Sequence, residues 1–87
     1  MLAGKLEGFN AALSPLRKQA MSWFRYYTQL DGVACELESN EIGLFSPEEQ
    51  QMFRMLEKRL TRLRDEAQLL REYCLQVREL FQAELDI

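Results

Sequence analysis

The sequence contains no histidine. That removes the side chain that most often serves as a general base near neutral pH, and the commonest nitrogen ligand for zinc. Glycine and proline are scarce, at 4 and 2 residues, and no glycine-rich phosphate loop can be assembled from them. The two cysteines, Cys35 and Cys74, stand far apart and in no metal-ligand spacing. Unpaired thiols point to a reducing, cytosolic setting. No apolar run approaches the ~18 residues of a membrane span, and the opening MLAGKLEGFNAAL lacks the apolar stretch of a signal peptide. Positive charge is in the minority, with 11 Lys+Arg against 14 Asp+Glu and a net charge of -3. That balance does not favour nucleic acid as a partner.

Catalytic patterns are absent as well. Ser14, Ser22, Ser39 and Ser46 have no nucleophile context. Arg17, Arg25, Arg59 and Arg71 lie off the apolar seams traced below and are expected to face solvent. No convergent set of polar residues marks a pocket, so the expectation is a non-enzyme with no tightly bound cofactor.

What remains is helix-forming. The chain is 47% hydrophobic and 29% charged, a composition of folded protein and not of a disordered tail. In the second half, Phe53, Leu56, Leu60, Leu63, Ala67, Leu70, Cys74, Val77 and Phe81 follow one another at alternating spacings of three and four. This period of 3.5 is the seam that one helix offers another. The first half repeats the pattern with Leu2, Leu6, Phe9, Leu13, Leu16, Ala20, Trp23, Tyr27, Leu30, Ala34 and Leu37. Two seams of similar length predict an all-α fold, a long antiparallel helical hairpin that is coiled-coil-like. Its first helix spans about 2–38, its turn about 39–46 and its second helix about 47–87, as a single unit.

The turn is marked by SNEIGLF, which breaks both seams, and the restart by SPEEQ. Ser46 suits the cap, Pro47 the first helical position, and Glu49 completes a capping box. Glu48 and Glu49 also favour the positive end of the helix dipole. Pro15 leaves two readings open. The seam passes it without losing phase, which favours one long kinked helix. A break would make residues 2–13 a separate short helix. In the hairpin, Cys35 near the turn and Cys74 far along the second helix lie too far apart for a disulfide. Cys74 on the seam reads as a small core residue.

The block WFRYY at residues 23–27 sets large side chains on more than one side of its helix. A two-helix hairpin covers one stripe only. Phe24, Tyr26, Leu69, Tyr73 and Leu80 therefore call for further helices, through self-association as a dimer or four-helix bundle. The terminal stretch LREYCLQVRELFQAELDI shows no glycine cap and has Glu84 and Asp86 where cations would suit the dipole. It reads as a helix that continues in a longer protein.

Three stretches carry a resemblance: LRKQAMSWFRYYTQLDGVACELESN, then LFSPEEQQMFRMLEKRLTRL, and above all LREYCLQVRELFQAELDI. Together they resemble the cytoplasmic stalk region of the CorA family of magnesium and divalent-cation channels. The last third is the more specific part, and the first fifteen residues match only as generic helix. The resemblance implies a homopentameric parent on the cytoplasmic side of the cell membrane, with the second helix as stalk and the first as its outer companion. It implies a structural and gating role. The membrane helices and the Gly-Met-Asn signature are not in this sequence, so contact with a membrane would come only through segments beyond it. The resemblance further implies regulatory Mg²⁺ held by stalk carboxylates, with Glu79, Glu84 and Asp86 as candidate ligands in the full assembly. The alternative is a stand-alone helical-hairpin interaction module.

Overall fold

The computed structural model describes residues 2–85, with side chains from residue 4 onward. Two helices, α1 (Leu2–Ser39) and α2 (Pro47–Leu85), form an antiparallel hairpin. Among the described residues there is no strand. The hairpin is a rod with Cα extents of 64 × 16 × 13 Å.

The turn explains why two helices form in place of one. Asn40 takes a left-handed backbone with φ of 51°, and Gly43 follows at 73°. Both residue types tolerate this region, and such a residue just beyond a helix is a common stop. The Gly43 N–H donates to the Asn40 carbonyl at 2.9 Å and closes a tight turn. The Asn40 side chain then spans the loop. Its amide donates to the Phe45 carbonyl at 2.9 Å, and its oxygen accepts from the Phe45 N–H at 3.0 Å. Replacing Asn40 with alanine removes both bonds and leaves in the left-handed region a residue that tolerates it less well than asparagine. We expect a loss of about 1–2 kcal/mol, read as a lower urea midpoint, whereas Asn40→Gly keeps the backbone freedom and loses less.

The capping box forms as its spacing predicts. The Ser46 N–H donates to Glu49 Oε1 at 3.1 Å, and the Glu49 N–H donates to Ser46 Oγ at 3.2 Å. The last turn of α1 has no basic residue of its own. Side chains of α2 take that role: Gln50 Nε2 donates to the Glu38 carbonyl at 3.2 Å, and Arg54 pairs with the Glu38 carboxylate at 3.0 Å. The Phe45 ring meets Phe53 edge-on at 4.9 Å. At the open end of the rod, Phe9 stacks on Phe81 with centroids 4.1 Å apart.

Helix α1 runs unbroken through Pro15. Of the two readings, the separate short helix over residues 2–13 is not the one observed. Proline forfeits one backbone bond there, and the continuous seam on either side holds the helix together. Asp86 lies outside the described residues, and α2 is helical to Leu85.

The core is thin and built from small residues. Among the described residues, Ala20, Ala34, Leu60, Ala67 and Cys74 are the buried hydrophobics. Alanine and cysteine at these positions let the helices approach closely, so a narrow strip is well packed and little else is covered. Asn10 interrupts the strip near the open end, and its Oδ1 is buried without a hydrogen-bond partner. A polar residue on a seam fixes register at a cost in stability. Asn10→Leu should therefore raise the thermal midpoint, by the equivalent of about 1 kcal/mol.

Candidate interaction surface

The seam of the folded hairpin is not quite the seam of the sequence. The residues at seven-residue spacing, Leu13, Ala20, Tyr27 and Ala34 on α1 and Phe53, Leu60, Ala67, Cys74 and Phe81 on α2, do turn inward. Of the alternate positions, Phe9, Leu30 and Leu37 on α1 are half-buried as well, but the others with described side chains turn outward. Leu16 is 56% exposed, Trp23 41%, Leu63 39% and Leu70 38%, and Leu56 and Val77 are exposed too. The partly buried places beside the core go instead to the next residue along: Arg17, Phe24 and Asp31 on α1, and Glu57, Arg64 and Arg71 on α2. The pair is rotated so that, at these positions, the inward place moves one residue along. Arg17 and Arg71, expected in solvent, are thus half-buried, while Arg25 and Arg59 are exposed.

The physical reason lies in the small core residues and the long polar ones. With alanine at the closest points, either flank of the stripe can roll inward. Arginine lays its aliphatic stem along a seam while its guanidinium stays at the edge. Asp31 anchors that edge: Arg64 pairs with it at 3.4 Å and the Thr61 hydroxyl reaches it at 3.2 Å. Arg64 also pairs with Asp65. These partly exposed pairs select an orientation and add little stability. Arg54 reaches across to Glu38 and along its own helix to Gln51.

The rod consequently has two unlike faces. On one, Phe24 lies near the charged and amide side chains of Arg64, Asp65, Gln68 and Arg71 in a shallow hollow. On the other, Trp23 and Tyr27 of α1 line a shallow groove with Leu63, Ala67 and Leu70 of α2, and Glu66 at its edge. Helical spacing extends that groove along the rod through Leu16 and Leu30 on α1, and Leu56 and Val77 on α2. Tyr26, Val33, Tyr73 and Leu80, all more than half exposed, widen it. A run of this length exceeds the scattered apolar residues of an ordinary surface. Of the residues expected to call for further helices, Tyr26, Leu69, Tyr73 and Leu80 are exposed, as are Trp23 and Leu63, whereas Phe24 is half-buried against α2.

The candidate magnesium ligands do not converge. Glu79 and Glu84 are both exposed and sit five residues apart on α2, on different sides of the helix. Asp86 is outside the described residues. Among the described residues, no three acidic, cysteine or histidine side chains come together as a metal site. No helix among them is long and apolar enough to cross a membrane.

Both thiols are free, Cys74 buried and Cys35 exposed. Desolvation by its neighbours, and then the carboxylates of Glu57, Asp31 and Glu38, push the Cys35 thiol above its ordinary range. Less thiolate is present at a given pH than for a free cysteine, and the thiolate is the reactive form. Alkylation of Cys35 by iodoacetamide should therefore rise at a higher pH than for a cysteine peptide, as followed by mass spectrometry.

Comparison with known proteins adds no relative: no protein family, no curated protein and no solved structure matches this chain.

Proposed function

We propose that this hairpin is a non-catalytic structural element of a CorA-like magnesium channel. In this reading α2 is the stalk helix, α1 is its outer companion, and the role is assembly and gating. The observation that carries the reading is the helix over Arg71–Leu85, where the segment most similar to the CorA stalk keeps Tyr73, Val77 and Leu80 exposed. A stalk that packs against neighbouring subunits needs such an uncovered stripe. The parent would be a homopentamer at the cytoplasmic side of the membrane. Glu79, Glu84 and Asp86 would reach Mg²⁺ only beside carboxylates of other segments or subunits, because a hard divalent ion needs several oxygen ligands.

The test is the coding sequence downstream of codon 87. An Asn-x-x-Met segment, an apolar span and Gly-Met-Asn support the channel. Termination at that point favours the second reading, a stand-alone hairpin that works by helix association, which the exposed Trp23–Leu63–Leu70 groove also suits. In a complete parent, Glu79→Ala should change the magnesium dependence of gating, and an unchanged response would remove Glu79 from the sensing role.

A further inference from the structure

The apolar face is nearly free of charge. Between Leu56 and Leu70 of its α2 side the ionised residues are Arg59 and Glu66, seven positions apart and of opposite sign, and Glu49 and Glu84 lie beyond on the line of Leu63. Seven residues are two helical turns, about 10 Å, so the two lie on one line of the helix but are too far apart to pair within the chain. Neither has an ion-pair partner among the described residues. Leu63 lies between them, 39% exposed.

We propose that this face binds a second copy of the same chain, as a two-fold symmetric four-helix bundle with the turns at opposite ends. The symmetry axis passes beside Leu63. With α2 laid antiparallel on α2 about that point, Arg59 meets Glu66 of the second copy, and Glu66 meets its Arg59. Leu56 falls opposite Leu70 of the second copy, and Leu63 opposite Leu63. The same axis crosses α1 near Leu30, because Asp31 is tied to Thr61 and Arg64 at that level. About Leu30, Trp23 falls opposite Leu37 of the second copy and Tyr26 opposite Val33. Apolar residues thus meet apolar ones along the middle of both helices, and the two charges there meet their opposites, while Glu49 falls opposite Val77 near the end of the overlap.

The area is sufficient. The overlap runs along α2 from Pro47 to Arg78, about 47 Å at ~1.5 Å per residue. With the rod 16 Å wide, each copy contributes about 750 Å², or about 1,500 Å² in all, within the ~1,200–2,000 Å² of stable interfaces. An isologous contact of this type closes on itself and does not propagate. The inference stands apart from the channel reading: the downstream coding sequence tests that one, and the mass in solution tests this one.

The experiment is sedimentation of the full chain over a wide micromolar range under reducing conditions, with circular dichroism to verify that each variant stays helical. The expected species is a dimer. Leu63→Glu, which places two carboxylates on the axis, should weaken dimerisation by roughly 100-fold or more. Leu75→Glu on the opposite face should leave it unchanged. Arg59→Glu and Glu66→Arg should each weaken it about 10-fold, and the double exchange should restore it, since the charges then meet their opposites again. A helical monomer throughout the range would overturn the proposal, as would a stoichiometry other than two. So would a dimer indifferent to Leu63→Glu, or a double exchange no better than the single reversals.

Discussion

Replacing Ala20 by leucine should destabilise the hairpin by about 2–3 kcal/mol, near the upper end of what overpacking costs. Ala20 has no exposed surface at all. Its methyl group is fully enclosed in the seam between α1 and α2, and three more heavy atoms cannot enter without pushing the helices apart. The separation would also loosen the flanking pairs, including Arg64 with Asp31. Urea unfolding followed at 222 nm measures the loss as a shift in midpoint. Ala11→Leu is the control: the same substitution on an exposed position of the same helix should change stability by less than about 0.5 kcal/mol. Equal losses for both would mean that helix contact at Ala20 is not what holds the rod.

The opposite change should cost as much. Among the described residues Leu60 is the one buried leucine, 8% exposed, in a core otherwise made of alanine and cysteine. Leu60→Ala should cost about 2–4 kcal/mol, the transfer energy of the lost carbons plus that of the cavity left behind. For a domain whose total stability is of order 5–15 kcal/mol, that is a large share. Leu75→Ala, at 36% exposure, should cost less than about 1 kcal/mol because the side chain is less enclosed. The ratio of the two losses, read from the same denaturation series, reports how much of the packing depends on this one residue.

The sequence made some of this legible and hid the rest for identifiable reasons. Ser46, Pro47 and Glu49 announce a helix start through local hydrogen bonding, and local chemistry survives any tertiary arrangement. The inward residues spaced by seven were readable because small or apolar side chains recur there in both halves. The rotation of the pair was not readable. It depends on which flank of a mostly small-residue stripe rolls inward, and apolar periodicity ranks Leu63 above Arg64. The ranking fails because Arg64 gains Asp31 across the seam, 33 residues away, a contact that no single-helix pattern contains. The same rotation turned expected core residues into an outward face. For the acidic candidates, spacing along one helix carried no information on convergence: Glu79 and Glu84 lie on different sides of α2.

The turn at Asn40–Ser46 is the sole covalent link between the helices, and this orders the assembly of the rod in time. The contact of Arg54 with Glu38 closes a segment of 16 residues, that of Arg64 with Asp31 one of 33. The Phe9–Phe81 stack closes 72, by the difference of their numbers. Each doubling of an open loop adds about 0.6 kcal/mol of closure entropy, but once the turn-proximal contacts exist, every later one closes only a few extra residues. Folding is then a zipper that starts beside Asn40 and runs outward, with the aromatic pair at the far end as its last tooth and the first to open.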